Sequence, residues 1–458
     1  MSMQTTYFAR LPVLALFACA GPGAVLAAPG APGAPGALPA APDITVDVDV
    51  GEPMMIAGQE QTAYIKITLG GFALPQQQRS PINLALVIDR SASMAGDRLE
   101  KAKEAALMVA DRLQPDDIIS LVTYDSTVDI LMPATKGVVR DALREQISAI
   151  EPRGSTALFA GVSHGIEELS KNLSAQRVNR MILLSDGQAN VGPRSPNELG
   201  RLGEVAARQG ISITTIGLGL GYNEDLMTQL AVASDGNHAF AENAADLAQI
   251  FQHELGDVLS VVAQDVQIDI NFDPGSTPVR AIGRDATITG NKARVSLSQL
   301  YAKQQKHVLF EVKVPPGAAG KKRALADVAV NYSNLISKTK GSKRGAAAVE
   351  FSAARDVVAA RQNKTVMEAA VLAIGTDNNR KAVALRDQGN AQAAEKVLQD
   401  NAAYLNKEAA RLQSKQLEVY GQRNTQDAAK VKAPAQDWER ARKSMREDQA
   451  KKATQQTW

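Results

Sequence analysis

Apolar and polar positions change their rhythm three times along the chain. Ile44 to Val50 alternates apolar with acidic residues, and Thr62–Leu69 is a second β-rich run closed by Gly70-Gly71. A period of two predicts half-buried strands. From Asn83 to about Ser260 short continuous apolar runs (Leu84–Ile88, Ile118–Tyr124, Met181–Leu184, Ile211–Ile216) alternate with helix-patterned stretches. Those stretches are Arg98–Leu113, Gly137–Ile150, Ala157–Leu173, Asn197–Arg208, Glu224–Ala233 and Ala244–Leu259. Strands that are apolar throughout and separated by helices predict a doubly wound, mostly parallel sheet buried on both faces. Val262–Phe272, Val308–Val314 and Ala324–Tyr332 then return to strand patterns. The expected fold is therefore α/β, with residues 81–261 inserted into a β-sandwich built from 44–80 and 262–352.

Beyond Ser352 the chain is rich in Ala, Gln, Lys and Glu. Arg380–Gln388, Ala391–Leu398 and Ala402–Tyr420 predict consecutive helices broken at Gly389-Asn390, so 353–421 is expected to be a C-terminal α-helical region with a repeat-like hairpin. Residues 422–458, polar and mildly basic, are expected to be a solvated tail. At the other end, Arg10 precedes the apolar run Leu11–Ala18 and small residues follow, the layout of a secretory signal over 1–27 with Val25-Leu-Ala27 as exit. Leu16-Phe-Ala-Cys19 is similar to a bacterial lipobox, which offers Cys19 as an alternative, lipidated first residue. Residues 28–43 form a Pro/Gly/Ala linker that cannot build a core. These features predict an exported protein, periplasmic, envelope-attached or secreted.

Composition narrows the functions. The 458 residues are 45% hydrophobic and 22% charged, ample for a sizeable core. Formal net charge is +2 and aromatics are only 4%, so there is no electrostatic or stacking reason to expect nucleic acid. A single cysteine excludes an intrachain disulfide framework and a Cys-based zinc site. No apolar run outside the N-terminus approaches ~20 residues, which predicts no internal transmembrane span.

The chemistry concentrates in Leu84-Ala-Leu-Val-Ile-Asp89-Arg-Ser91-Ala-Ser93-Met-Ala-Gly96, where a buried strand runs into a helix. Gly154-Ser155-Thr156 precedes another helix, and Leu183-Leu-Ser-Asp186-Gly187 ends a second apolar strand. Parallel strands carry their carboxyl ends to one edge, where ligands bind, so Asp89 and Asp186 are expected to converge there with Thr156 in reach. Two carboxylates and three hydroxyls are hard oxygen donors, suited to Mg²⁺ or Mn²⁺; Ca²⁺, which takes 6–8 oxygens, is less well served. The pair of negative charges balances a divalent ion and leaves it open to one more anionic oxygen, an Asp or Glu carboxylate of a protein partner. The competing explanation is that Ser91 and Ser93 cap the helix near Asp97 and that Asp186-Gly187 is only a turn.

Residues 83–260 resemble a von Willebrand factor type A domain with a metal-ion-dependent adhesion site. Asp89, Ser91 and Ser93 match its first motif segment, Thr156 the second and Asp186 the third. Ser120-Leu-Val-Thr-Tyr-Asp125 and Ile216-Gly-Leu-Gly219 before Tyr222–Met227 fit its wider phrasing. The chain is similar to bacterial secreted or lipoprotein members grouped with calcium-activated chloride channel homologues. The resemblance implies that Ser91, Ser93 and Thr156 ligate the metal directly or through water, and that Asp89 and Asp186 hold it mostly through waters. Arg90 departs from the small or apolar residue common in animal members. It puts a cation beside the metal loop, either reinforcing an anionic ligand or facing solvent.

Other motifs compete weakly. Gly161-Val-Ser163-His-Gly165 matches a nucleophile elbow, but its surroundings are helical rather than strand–turn–helix. His253-Glu254 lacks the second histidine of a zinc protease, and Gly217-Leu-Gly-Leu-Gly221 lacks dinucleotide spacing. The expectation is a non-enzymatic, metal-dependent binding module. The alternative is a hydrolase or phosphatase that uses the same ion as Lewis acid.

Overall fold

The computed structural model describes residues 42–74, 78–137 and 139–458. The signal, the lipobox around Cys19 and nearly all of the linker lie outside them. Three strands come first: β1 (Thr45–Val50), β2 (Met54–Ile56) and β3 (Gln61–Gly70). The α/β unit follows, with β4 (Ile82–Asp89), α1 (Asp97–Arg112), β5 (Ile118–Tyr124), β6 (Val128–Lys136), α2 (Arg140–Ser148) and α3 (Leu158–Ser170). It continues through β7 (Val178–Ser185), α4 (Pro196–Arg208), β8 (Ile211–Leu218), α5 (Glu224–Ala233), β9 (His238–Ala241) and α6 (Leu247–Leu259).

Its sheet runs β6-β5-β4-β7-β8-β9, parallel except for the antiparallel edge strand β6. Alternate residues of β4 supply two different cores, because successive side chains of a strand point to opposite faces. Leu84, Leu86 and Ile88 pack with α1, α2 and α6 through Leu99, Val109, Leu143, Phe251 and Leu255. Ala85 and Val87 face α3, α4 and α5 through Val162, Leu169, Leu199, Leu226 and Leu230.

The chain then returns to the sandwich with β10 (Val261–Phe272), β11 (Thr277–Ile282), β12 (Thr287–Thr289), β13 (Lys292–Tyr301), β14 (Gln305–Val314), β15 (Lys322–Asn334) and β16 (Thr339–Ser352). One sheet is ordered β1-β3-β14-β11 and the other β12-β13-β10-β15-β16-β2. Ile65, Ile67 and Leu69 of β3 meet Ile268, Ile270, Phe310 and Val330 between them. Both covalent links to the inserted unit rest on one turn: Gly71 exchanges backbone hydrogen bonds with Lys303 and Gln304, and Ala302 N donates to Ser260 O at 2.8 Å. At this base Arg180, fully buried, donates to Glu254 at 2.8 Å, to Ser212 Oγ at 2.6 Å and to the Tyr301 hydroxyl at 2.7 Å. One guanidinium thus joins β7, β8 and α6 to the sandwich.

The C-terminal region holds the short α7 (Arg355–Ala360), then α8 (Lys364–Asp387), α9 (Ala391–Leu412), α10 (Lys415–Lys430) and α11 (Ala435–Thr454). Gly389, at φ +83°, ends α8, and Asn390 caps α9 by accepting from Ala393 N. Two expectations are corrected here. The break anticipated after Leu398 is absent; α9 runs on to Leu412, and the next turn comes at Gln413, in the left-handed region. The stretch 422–458, expected as a solvated tail, carries the end of α10 and all of α11. Its polar residues are spent on packing: Arg442 pairs with Glu224, Asp225 and Asp387, while Lys443 donates to Tyr222 O at 2.7 Å and Glu224 at 2.5 Å. Trp458 stacks on His253 and donates to Asp257. Among the described residues no helix is long and apolar enough to cross a membrane.

Candidate metal centre

Strands β4 and β7 are parallel neighbours, and the order of the sheet reverses between them. At such a reversal the flanking connections diverge to opposite faces and leave a crevice at the carboxyl edge. Asp89 is the last residue of β4, and Asp186 follows the last residue of β7. Asp89 Oδ1 accepts from Ser91 N at 2.8 Å and Oδ2 from Ser185 Oγ at 2.6 Å. Ser91 Oγ lies 3.1 Å from Ser93 Oγ, which donates to Asp186 Oδ1 at 2.8 Å. Neither serine caps a helix: the short turn starting at Ser91 has no side-chain cap bond, and α1 is preceded by Gly96. The capping explanation therefore fails.

Thr156 arrives on the loop before α3. Ala92 N donates to Gly154 O at 3.1 Å and Ala157 N to Asp125 O at 2.7 Å, which ties that loop to the ends of β4 and β5. Asn190 Oδ1 accepts from Thr156 N at 2.8 Å. A β-carbon placed on Gly187 would stand 3.1 Å from Thr156 Oγ1 and 3.6 Å from Ser93 Oγ. Both hydroxyls thus crowd the backbone beside Asp186. The structure brings all five sequence-predicted residues together.

Burial pushes the Asp89 carboxyl up to about 6; hydrogen bonds from Ser185 and Ser91 oppose the rise, and the Asp186 charge adds to it. Asp186, also fully buried, holds its other oxygen 2.5 Å from the Arg98 guanidinium. Arg98 lies in the first turn of α1, where an isolated arginine on an amphipathic helix carries no sequence signal, and it was not anticipated. Arg90 is neither of the things expected of it. It is buried and pairs with Asp125 at 2.8 Å and with Asp129. Arg153 shares both partners. Burial works against the Asp125 charge, but hydrogen bonds from Arg153, Thr127 N and Arg90 pull its carboxyl down to about 2. Arg90 therefore locks the β5–β6 turn against the loop that carries Asp89, Ser91 and Ser93, and its charge is already matched.

The donors fit a hard divalent cation. All five side chains offer oxygen, the Ser91 and Ser93 hydroxyls are chained to each other and to Asp186, and two carboxylates supply the counter-charge. The family model for the von Willebrand factor type A domain matches residues 83–253. This segment is a von Willebrand factor type A domain. Domains of this kind mediate protein interactions and commonly bind a divalent metal ion. The chain is 31% identical over 206 residues to the uncharacterized protein sll0103 of Synechocystis, covering 45% of this chain and 47% of that protein. It is 27% identical over 227 residues to the uncharacterized protein YfbK of Escherichia coli, covering 49% of this chain and 40% of the relative. The chain thus spans less than half the length of these curated relatives. A von Willebrand factor type A protein from Catenulispora acidiphila shares the fold at TM-score 0.69 and 16% identity, over 86% of this chain and 92% of that one.

The competing motifs of the type A domain have structural explanations. Ser163 sits inside α3 and donates to Phe159 O at 2.9 Å. Gly161 and Gly165 let α3 approach the sheet: added β-carbons would stand 2.6 Å from Tyr124 and from Met181. His238 is buried against Thr215 and Tyr222, and burial lowers it to about 3. His164 lies on α3 with Nδ1 2.9 Å from Glu167, and His253 stacks on Trp458.

Proposed function

We propose that this chain is an exported, non-enzymatic binding protein whose type A domain captures a protein partner through a divalent cation, Mg²⁺ or Mn²⁺. Asp89, Ser91, Ser93, Thr156 and Asp186 would hold the ion, and a partner Asp or Glu would complete its shell. The ion supplies a positive centre for that carboxylate; the residues of the chain position it and exclude alternatives. The observation that carries this reading is the continuous hydroxyl path Ser91–Ser93–Asp186 at the strand-order reversal, with Thr156 packed beside it. One bridging carboxylate gives specificity but modest affinity, so a surface of about 1,600 Å² must contribute the remainder. The leader pattern in the sequence supports export.

A hydrolase using the same ion would need a base near it, and the three histidines of the domain are engaged elsewhere. The test is thermal unfolding with and without Mg²⁺. Wild type is expected to gain stability, about 2.7 kcal/mol at a hundredfold excess over Kd, and Asp89→Ala to lose the response. Equal shifts in both proteins refute the reading. Turnover of generic phosphate or ester substrates with Mn²⁺ would favour the hydrolase.

A further inference from the structure

We propose that Arg98 is a built-in competitor for the metal: its guanidinium pairs with Asp186 and must leave that carboxylate for the cation to bind. The inference rests on the metal reading above and concerns how that centre is loaded.

Three observations support it. Arg98 Nη1 stands 2.5 Å from Asp186 Oδ2 and 3.3 Å from Ser93 O, so it takes a carboxylate oxygen at the mouth of the proposed ligand set. The Asp186 side chain is 0% exposed whereas that of Arg98 is 42% exposed. The carboxylate therefore cannot turn to water for compensation, but the guanidinium can swing out without unfolding anything. The seat itself is shaped for the guanidinium. Gly219, at φ +70°, presents bare backbone where a β-carbon would lie 3.3 Å from an Arg98 nitrogen, and one on Gly221 would lie 2.9 Å from Asp186 O. The loop after β8 thus packs against the guanidinium on one side and the Asp186 backbone on the other.

Charge decides the exchange. Asp89 and Asp186 bring two negative charges, and Arg98 neutralises one of them without a metal. A divalent ion neutralises both, and a guanidinium left on the same carboxylate would face a doubly charged cation at close range, where like charges repel. The first turn of α1 fixes the Arg98 backbone, so release is a side-chain rotation toward the rim.

The test is Mg²⁺ titration of full-length wild type, Arg98→Gln and Arg98→Lys by calorimetry, with the metal-free melting temperature recorded for each. Competition predicts tenfold or tighter Mg²⁺ binding by R98Q, a smaller gain for R98K, and a lower metal-free melting temperature for R98Q that Mg²⁺ restores. A lower melting temperature with unchanged Mg²⁺ affinity makes Arg98 purely structural and overturns the proposal. Weaker binding by R98Q makes it a supporting group and also overturns it. Absence of Mg²⁺ binding in all three proteins sinks the metal reading itself, a distinguishable failure.

Discussion

Asp89 and Asp186 stand at the ends of adjacent parallel strands and are satisfied in opposite ways. Asp89 is held by uncharged donors, Ser91 N and Ser185 Oγ, whereas Asp186 is held by a hydroxyl and a guanidinium. Removing charge at the two positions should therefore separate metal response from folding. Asp89→Asn keeps a carbonyl acceptor for Ser91 N and an amide donor for Ser185, and it removes a charge that burial disfavours. Its metal-free melting temperature is expected to equal or exceed that of wild type, with the Mg²⁺ response abolished. Asp186→Asn leaves Arg98 without its partner and is expected to lose both. Scanning calorimetry with and without Mg²⁺ checks each outcome.

The Arg180–Glu254 pair lies at the base of the same sheet, with both side chains 0% exposed. Arg180→Met leaves a buried carboxylate facing Thr214 and Asn237, with no other cation paired to it among the described residues. A loss of about 3–5 kcal/mol is expected. Adding Glu254→Gln should recover part of it, because the stranded charge is gone. Urea unfolding of the single and double variants measures the difference.

Glu52 gives a pH signature. Burial raises its carboxyl to about 7, against the smaller effects of a hydrogen bond from Tyr64 N and the charge of Arg411. Between its ordinary value and 7 the folded chain binds a proton that the unfolded chain has released, so stability falls as pH rises through this window. Glu52→Gln removes the cost. The variant should melt like wild type near pH 4 and above it at pH 8, the gain approaching on the order of 3 kcal/mol at most.

Lys443 of α11 reaches the loop before α5 through Tyr222 O and lies 4.4 Å from the Tyr222 ring centroid. Lys443→Met should loosen this loop, whose neighbours Gly219 and Gly221 back Arg98 and Asp186. Faster amide exchange over residues 219–223, with the core strands unchanged, is the expected result. Uniform exchange rates would show that α11 does not brace the loop.

The meeting of Asp89, Ser91, Ser93 and Asp186 was legible because each follows the end of an apolar strand, and strand direction sends those ends to one edge; Thr156, on the loop before α3, was legible only from its Gly-Ser-Thr motif. Arg98 and Arg90 were not legible in that way. Their roles depend on which carboxylates lie across the fold: Asp186 for one, Asp125 and Asp129 for the other. The last helix was missed for a related reason. It buries Trp438, Ala441, Met445, Ala450 and Ala453 together with Lys443, Gln449 and Thr454, and three of the five apolar positions are small alanines that do not stand out from a solvated stretch. Its docking also draws on ion pairs of Arg442 with Glu224, Asp225 and Asp387.

The inserted domain joins the sandwich by two peptide links that meet at the single turn 301–304, roughly 25 Å from the carboxyl edge by the length of β4. A force applied at the carboxyl edge would therefore divide between two links anchored side by side. The buried Arg180 at their foot joins the domain to Tyr301 beside that turn. Motion of the type A domain relative to the sandwich is therefore transmitted at a single place, the turn 301–304.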